Sequence, residues 1–337
     1  HNIGAEAYGF VGLASTFVGY AQLFTVALTS VAGRFITVAY HEGNELKANR
    51  YYSSTLAANA VMVFALTIIA IPVILFLDKL VNISPHLVGD VKMLFTFIFL
   101  QFVITTISTV YSVATFVKNK LYLSSIANLV FSFVRVAVMV VLFGMLPPKV
   151  CYVGLAVCLA SAVLTIMNRF YTRVLLPDIS FRWNLVSWAS VREMLEAGIW
   201  NVVTKLQQIM MFGLQLLVAN LMVSPYLMGM LSVAQTVPNQ ISSLTITVAS
   251  LFYPEQTKYY AQGKRDELVD DIKSGMKVSG FFTNIVFVVL LVVGYDFMRL
   301  WQHGQDTTLL YELLTLTMLG LLASGVAVTL QNLPLIV

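Results

Sequence analysis

Two cations stand in long apolar stretches of this sequence, Arg135 in "FSFVRVAVMVVLF" (131–143) and Lys205 in "GIWNVVTKLQQIMMFGLQLL" (198–217). Each heads a row of amides and hydroxyls. Ser125, Asn128, Ser132 and Arg135 recur at three- or four-residue steps, which is one face of a helix. Asn201, Lys205 and Gln208 share a face in the same way, and on a continuous helix Gln215 extends it two turns further. Two more rows come from 15–29 and 235–245. Ser15, Gln22, Thr25 and Thr29 share one face of the first, and Gln235, Ser242 and Thr245 one face of the second, with Asn239 beside them. Lysine and arginine suit phosphate or pyrophosphate, and amides with hydroxyls suit sugar hydroxyls. The chemistry on offer is the binding of an anionic, sugar-rich cargo.

Reaction chemistry is not on offer. Cys151 and Cys158 are seven residues apart in an apolar run. On a helix that is about 10 Å, too far for a disulfide, so they read as packing residues. The four histidines fall in expected loops, away from any acid–His–Cys cluster. No metal-ligand spacing, nucleophile motif or phosphate loop occurs, so the expectation is no enzyme, no metal, no cofactor and no nucleic-acid partner.

Composition identifies the solvent around these residues. The chain has 337 residues, is 58% hydrophobic and only 11% charged, with a mean hydropathy of +0.83. Soluble domains carry about 25% charged residues. A bilayer is the expected surrounding, crossed by helices of about 20 mostly apolar residues that satisfy their own backbone polar groups. Nine spans are expected, near 8–40, 50–77, 88–117, 120–146, 150–175, 194–222, 226–261, 269–301 and 308–337. The Trp- and Arg-rich stretch 176–193 reads as an amphipathic connector on the membrane surface. Arg34, Lys47, Arg50, Lys118, Lys120, Arg169, Arg173 and Lys264 all fall on one side of this arrangement, and Lys79, Lys92, Lys149 and Arg299 on the other. The asymmetry makes the 41–50 loop cytoplasmic. A cation near mid-membrane costs about 2.5–3.5 kcal/mol on insertion scales, so Arg135 and Lys205 should face protein or water. No acid of comparable depth pairs with them, since Glu196 and Glu255 lie near cytoplasmic ends and Glu312 near an external end.

Shifting the chain by 220 residues aligns 8–49 with 228–269 without a gap. Gly9 meets Gly229, Thr16 meets Thr236, Thr25 meets Thr245, Tyr40 meets Tyr260 and Gly43 meets Gly263. Both copies run from outside to inside, a parallel repeat about an axis along the membrane normal, and transporters often hold substrate between such halves. The repeat implies about twelve helices, six per half. On that count this chain is a fragment without the first helix and the last two. The expected architecture is an all-α polytopic membrane protein of two pseudo-symmetric six-helix lobes. Residues 1–175 form the N-terminal lobe, 176–193 the connector and 194–337 the C-terminal lobe.

"GAEAYGFVGLASTFVGYAQLFTVALTSVAGRFITVAYHEGNELKANRYY" (4–52) resembles the second helix and first cytoplasmic loop of bacterial polysaccharide flippases of the Wzx type. "EAGIWNVVTKLQQIMMFGLQLLVANLMVSPYLMGMLSVAQTVP" (196–238) resembles the start of their second half. These flippases belong to the multidrug/oligosaccharidyl-lipid/polysaccharide (MOP) exporter superfamily. The resemblance covers essentially the whole chain, through diffuse and hydrophobic motifs. It implies two lobes around a central cavity open alternately to each side of the bacterial plasma membrane. The implied cargo is an oligosaccharide on undecaprenyl pyrophosphate, with membrane lipids and a coupling ion as further partners. It assigns Lys205, and more weakly Arg135, to the pyrophosphate, and Asn201, Gln208, Gln215, Gln22 and Asn239 to the sugars. The alternative is a cation-coupled multidrug exporter of the same superfamily, which needs a functional carboxylate.

Overall fold

The computed structural model describes residues 4–332, and helices dominate it, with no strand among them. In chain order the helices are α1 (Gly4–His41), α2 (Glu45–Leu75), the single turn α3 (Leu77–Leu80), α4 (Val88–Ser108), α5 (Val113–Val117), α6 (Leu121–Met145) and α7 (Cys151–Leu175). They continue as α8 (Trp188–Gln208), α9 (Leu214–Met222), α10 (Pro225–Ser250), α11 (Tyr253–Ala261), α12 (Arg265–Trp301) and α13 (Thr307–Ala327). Among the described residues, seven stretches are long and apolar enough to cross a bilayer: 6–41, 45–75, 88–117, 121–145, 151–175, 265–301 and 307–330. The other two expected spans are α8–α9 and α10–α11. Polar residues such as Asn201, Lys205, Gln207 and Gln208 dilute the first, and Gln235, Asn239, Gln240 and a row of Ser and Thr dilute the second. The same residues that suggest a polar pathway weaken the hydropathy of the helices that carry them.

Three expected helices are interrupted. The 88–117 helix passes through a 3₁₀ segment, Thr109–Ser112, before resuming as α5. The hydroxyls of Thr105, Ser108, Thr109, Ser112 and Thr115 each donate to a carbonyl three or four residues back. Such back-bonding competes with the helix ladder and bends it. The 194–222 helix starts earlier, at Trp188, and contains a π-helical turn, Ile209–Gly213. The 226–261 helix breaks at Leu251–Phe252, between α10 and α11.

The described residues form two compact units, one of 10–225 and one of 4–9 with 226–332. In the first, α4 packs along α7, α7 along α6, and α2 against both α4 and α8. Its core joins Leu28, Ala32 and Ile36 of α1 to Tyr51 and Tyr52 of α2, Val113 and Val117 of α5, and Met194 of α8. Close approach is set by small residues, as is usual where apolar burial gives no drive between helices. A Cβ on Gly154 of α7 would lie 3.1 Å from Leu94 and Phe97 of α4. In the second unit, Met230, Val233, Ala234 and Ile241 of α10 pack with Met298 of α12 and Leu310, Leu314, Met318 and Leu321 of α13.

The 220-residue repeat is visible in backbone detail. Gly43 and Gly263 both have left-handed backbone, φ 72° and 70°, where a residue with a Cβ is strained. Each ends its helix in the same way. Gly43 N–H donates to Tyr40 O and Asn44 N–H to Ala39 O, at 3.1 Å both. Gly263 N–H donates to Tyr260 O and Lys264 N–H to Tyr259 O, at 3.0 Å both. The paired bonds satisfy carbonyls that the helix end leaves open.

The 176–193 connector contains a 3₁₀ turn, Trp183–Leu185, and the first residues of α8. Four α2 side chains hold it. Asn49 Nδ2 donates to Asp178 O (3.0 Å) and Asn49 Oδ1 accepts from Ser180 N–H (2.8 Å). Ser53 Oγ accepts from Arg182 N–H (3.0 Å), Ser54 Oγ from Ser187 N–H (2.9 Å), and Tyr51 donates its hydroxyl to Glu193 (2.8 Å).

Candidate functional site

Helix α8 approaches α1 through glycines. Gly198 abuts Ala27 so closely that a Cβ there would fall 1.8 Å from the Ala27 carbonyl oxygen. Beyond the π-helical turn, a Cβ on Gly213 would meet Thr16 Cγ2 at 2.7 Å, and one on Gly19 would meet Ile209 Cγ1 at 3.6 Å. The pairs 198/27, 209/19 and 213/16 place the helices antiparallel. Lys205 lies between these contacts, so it stands opposite residues 22–25 of α1. Asn201, one turn before it, donates Nδ2 to Ser30 Oγ at 2.9 Å.

Opposite Lys205 is a recess of about 180 Å³. Gln22, Thr25, Val26 and Thr29 line it from α1, and Thr105, Thr106 and Thr109 from α4 and its 3₁₀ extension. Counting about 30 Å³ per water, it has room for roughly six waters. That is the scale of a phosphate group and its hydration, not of an oligosaccharide. Lys205 is about 26 Å along α8 from Trp188. It makes no ion pair among the described residues, and the five pairs present all involve other cations.

The hydroxyls have a defined polarity. Thr25 donates to Gln22 O (3.3 Å), Thr29 to Thr25 O (3.0 Å), Thr105 to Gln101 O (2.9 Å) and Thr109 to Thr105 O (2.9 Å). Each of these protons is committed to its own helix, so the oxygen faces outward as an acceptor. The recess therefore offers one ammonium for an anion and several acceptors for ligand hydroxyls.

Among the expected site residues, Gln22 and Lys205 share this recess and Asn201 braces it. Gln208 is exposed on α8. Gln215 is also exposed, but it lies past the π-helical turn. That turn inserts the equivalent of one residue, rotating Gln215 by about 100° from the row a continuous helix would give. Asn239 belongs to the other compact unit, on α10. Arg135 stands on an exposed face of α6 with Ser125, Asn128 and Ser132, and its guanidinium lies 5.9 Å from the Phe131 ring centroid. Within its own unit it therefore has no polar enclosure comparable to that of Lys205.

The threonines of α4 were not among the expected site residues. Their signal is present in "QFVITTISTVYS", a hydroxyl cluster in an otherwise apolar span. Asn59 of α2, fully buried, donates Nδ2 to Thr106 O at 2.9 Å, which holds this backbone from behind.

No family model matches the chain. Over 307 residues it is 29% identical to the uncharacterized membrane protein EpsK of Bacillus subtilis (strain 168), which covers 91% of this chain and 61% of that protein. The chain thus spans about three fifths of this curated relative's length. Among solved structures it superposes on the inward-facing conformation of a multidrug resistance MATE family transporter of the MOP superfamily. That match has a TM-score of 0.75 and 14% identity, over 99% of this chain and 80% of the other. It also superposes on a MOP superfamily transporter from Pyrococcus furiosus, whose binding pocket of reverse polarity suggests a different function. There the TM-score is 0.68 at 14% identity, over 99% and 78% of the two chains. The chain is a multi-span membrane protein that shares the fold of these two solved transporters.

Proposed function

We propose that this chain is the membrane core of an exporter that moves an oligosaccharide carried on undecaprenyl pyrophosphate across the bacterial plasma membrane by alternating access. The observation that carries this reading is Lys205, a cation with no ion pair among the described residues, facing a recess of threonines and one glutamine. An ammonium in a low-dielectric setting is costly unless something anionic compensates it. No acid among the described residues does so. One phosphate of a pyrophosphate fits the single ammonium and the size of the recess. Sugar hydroxyls fit the acceptors around it and the amides of Asn201, Gln208, Gln215 and Asn239. Arg135 takes a lesser part, because its side chain rests on Phe131 at an exposed face. The Pyrococcus furiosus transporter is a precedent for pocket polarity marking a change of function within this fold.

The second reading is a cation-coupled multidrug exporter, favoured by the likeness to a multidrug resistance MATE transporter. Export of cationic drugs calls for a carboxylate where Lys205 stands, and the described acids lie in loops or toward helix ends. The deciding experiment uses a deletion strain complemented with the full-length protein. Lys205→Ala should abolish complementation and accumulate lipid-linked oligosaccharide on the cytoplasmic leaflet, at unchanged expression. Lys205→Arg should restore part of the transport. Full transport by Lys205→Ala, or a phenotype confined to drug susceptibility, would sink the flippase reading.

A further inference from the structure

A second cavity, of about 390 Å³, lies between the start of α2 and the start of α8. We propose that it binds the phosphate of an anionic membrane lipid on the face of the membrane that carries the basic loops.

Charge is the first argument. Lys47 and Arg50 line the cavity, with Asn44, Ser187, Ser190 and Glu193. Arg50 has no carboxylate partner among the described residues, and Lys47 pairs only with the exposed Glu42, at 3.3 Å, which is not part of the lining. The carboxylate in the wall, Glu193, is engaged by the Tyr51 hydroxyl. The lining is therefore net cationic. Helix α8 also begins here, and Ser187 at its N-cap makes no side-chain capping bond. The first-turn residues Ala189 and Ser190 face the same space, so open backbone N–H groups add to the positive potential.

Rigidity is the second. The cavity is framed by the connector that Asn49, Ser53 and Ser54 hold to α2, and Ser190 and Tyr51 in its wall are buried. A preformed site avoids an ordering cost on binding.

Depth is the third, and it selects the source of the phosphate. Trp183 and Trp188 flank the cavity in sequence and are 76% and 74% exposed, and Leu46 on its rim is exposed as well. Phe181 packs edge-on against Trp183, with ring centroids 4.8 Å apart. Exposed Trp rings of this kind settle at the headgroup level of a bilayer. Basic pockets at that level recognise lipid headgroups. A soluble phosphate would have no use for the apolar rim.

The test is lipid binding to the purified full-length protein, by native mass spectrometry and by the thermal midpoint in detergent. The probes are phosphatidylglycerol, phosphatidylcholine and inorganic phosphate. Phosphatidylglycerol should occupy one saturable site and raise the midpoint, and phosphatidylcholine should not. Arg50→Gln and Lys47→Gln should each weaken phosphatidylglycerol about tenfold, the loss of one charge-assisted hydrogen bond. Arg50→Lys should retain most of the affinity, and Lys264→Gln, a basic residue outside the cavity, should retain all of it. Unchanged lipid affinity in both glutamine variants overturns the proposal. Saturation by inorganic phosphate alone, without the lipid, overturns the lipid assignment.

Discussion

Gly9 and Gly229, equivalent under the 220-residue repeat, lie directly against each other. A Cβ on Gly9 would fall 2.6 Å from the Gly229 Cα. Only glycine permits the approach, because the obstacle is backbone and cannot rotate away.

This contact gives a prediction with a distinctive sign. At an unobstructed helix position, Gly→Ala gains helix propensity, about 1 kcal/mol. Gly9→Ala should instead lower the thermal midpoint, with an overpacking cost on the order of 1–3 kcal/mol. Gly320→Ala is the control, since a Cβ there meets nothing within 4 Å. Thermal unfolding of the two purified variants compares the signs.

Gly198 sets the seat of Lys205. A methyl group there collides with the Ala27 carbonyl and must push α8 off α1. Gly198→Ala should therefore reduce transport in the complementation assay as far as Lys205→Ala does, with Lys205 itself intact. Asn201→Ala removes only the bond to Ser30, 2.9 Å long, and should cost less. Transport at wild-type level in Gly198→Ala would show that the α1–α8 spacing does not matter.

Asn82 and Asn220 hold each other by three hydrogen bonds. Asn82 donates N–H to Asn220 Oδ1 (2.9 Å) and Nδ2 to Asn220 O (3.0 Å), and Asn220 Nδ2 donates to Asn82 O (3.0 Å). Asn220 is fully buried. Truncating it leaves backbone groups of Asn82 without partners, which costs more than the bonds contribute net. Asn220→Ala should destabilise by on the order of 2–4 kcal/mol. Asn220→Asp keeps the acceptor but sets a carboxylate oxygen against the Asn82 carbonyl at a fully buried position, so its loss should be at least as large. Faster amide hydrogen exchange at Asn82 in both variants is the local readout.

Asp90 caps a helix that is not its own. Its two carboxylate oxygens accept from Val150 N–H (2.7 Å) and Cys151 N–H (2.9 Å), at the start of α7. A carboxylate there satisfies open donors and faces the positive end of the helix. Asp90→Ala should cost about 1–2 kcal/mol, and Asp90→Asn less. Equal midpoints for wild type and Asp90→Ala would show that water caps α7 equally well.

Much of this architecture was legible in the residues, because it depends on local composition. Apolar runs identify the membrane helices, and the match of Gly43 to Gly263 anticipates two helices ending in the same left-handed turn. Helical periodicity also showed that Asn201, Lys205 and Gln208 share a face. Periodicity within one helix describes rotation about its own axis and nothing else. It does not say which other helix that face meets.

That choice belonged to the tertiary structure. Lys205 meets Gln22, Thr25 and Thr29 because Gly198 and Gly213 let α8 lie against α1, and it meets Thr105, Thr106 and Thr109 across a recess that those helices leave open. Arg135 looked equivalent in sequence, but its polar row emerges on an exposed face. Gln215 left the Lys205 row because of one π-helical turn, and the apolar residues around it carry no periodic mark of that turn. By itself the sequence determined the solvent, seven of the apolar spans among the described residues and the repeat, since these follow from composition and self-similarity along the chain. Only packing decided which cation is enclosed, because enclosure depends on close contacts between residues far apart in the chain.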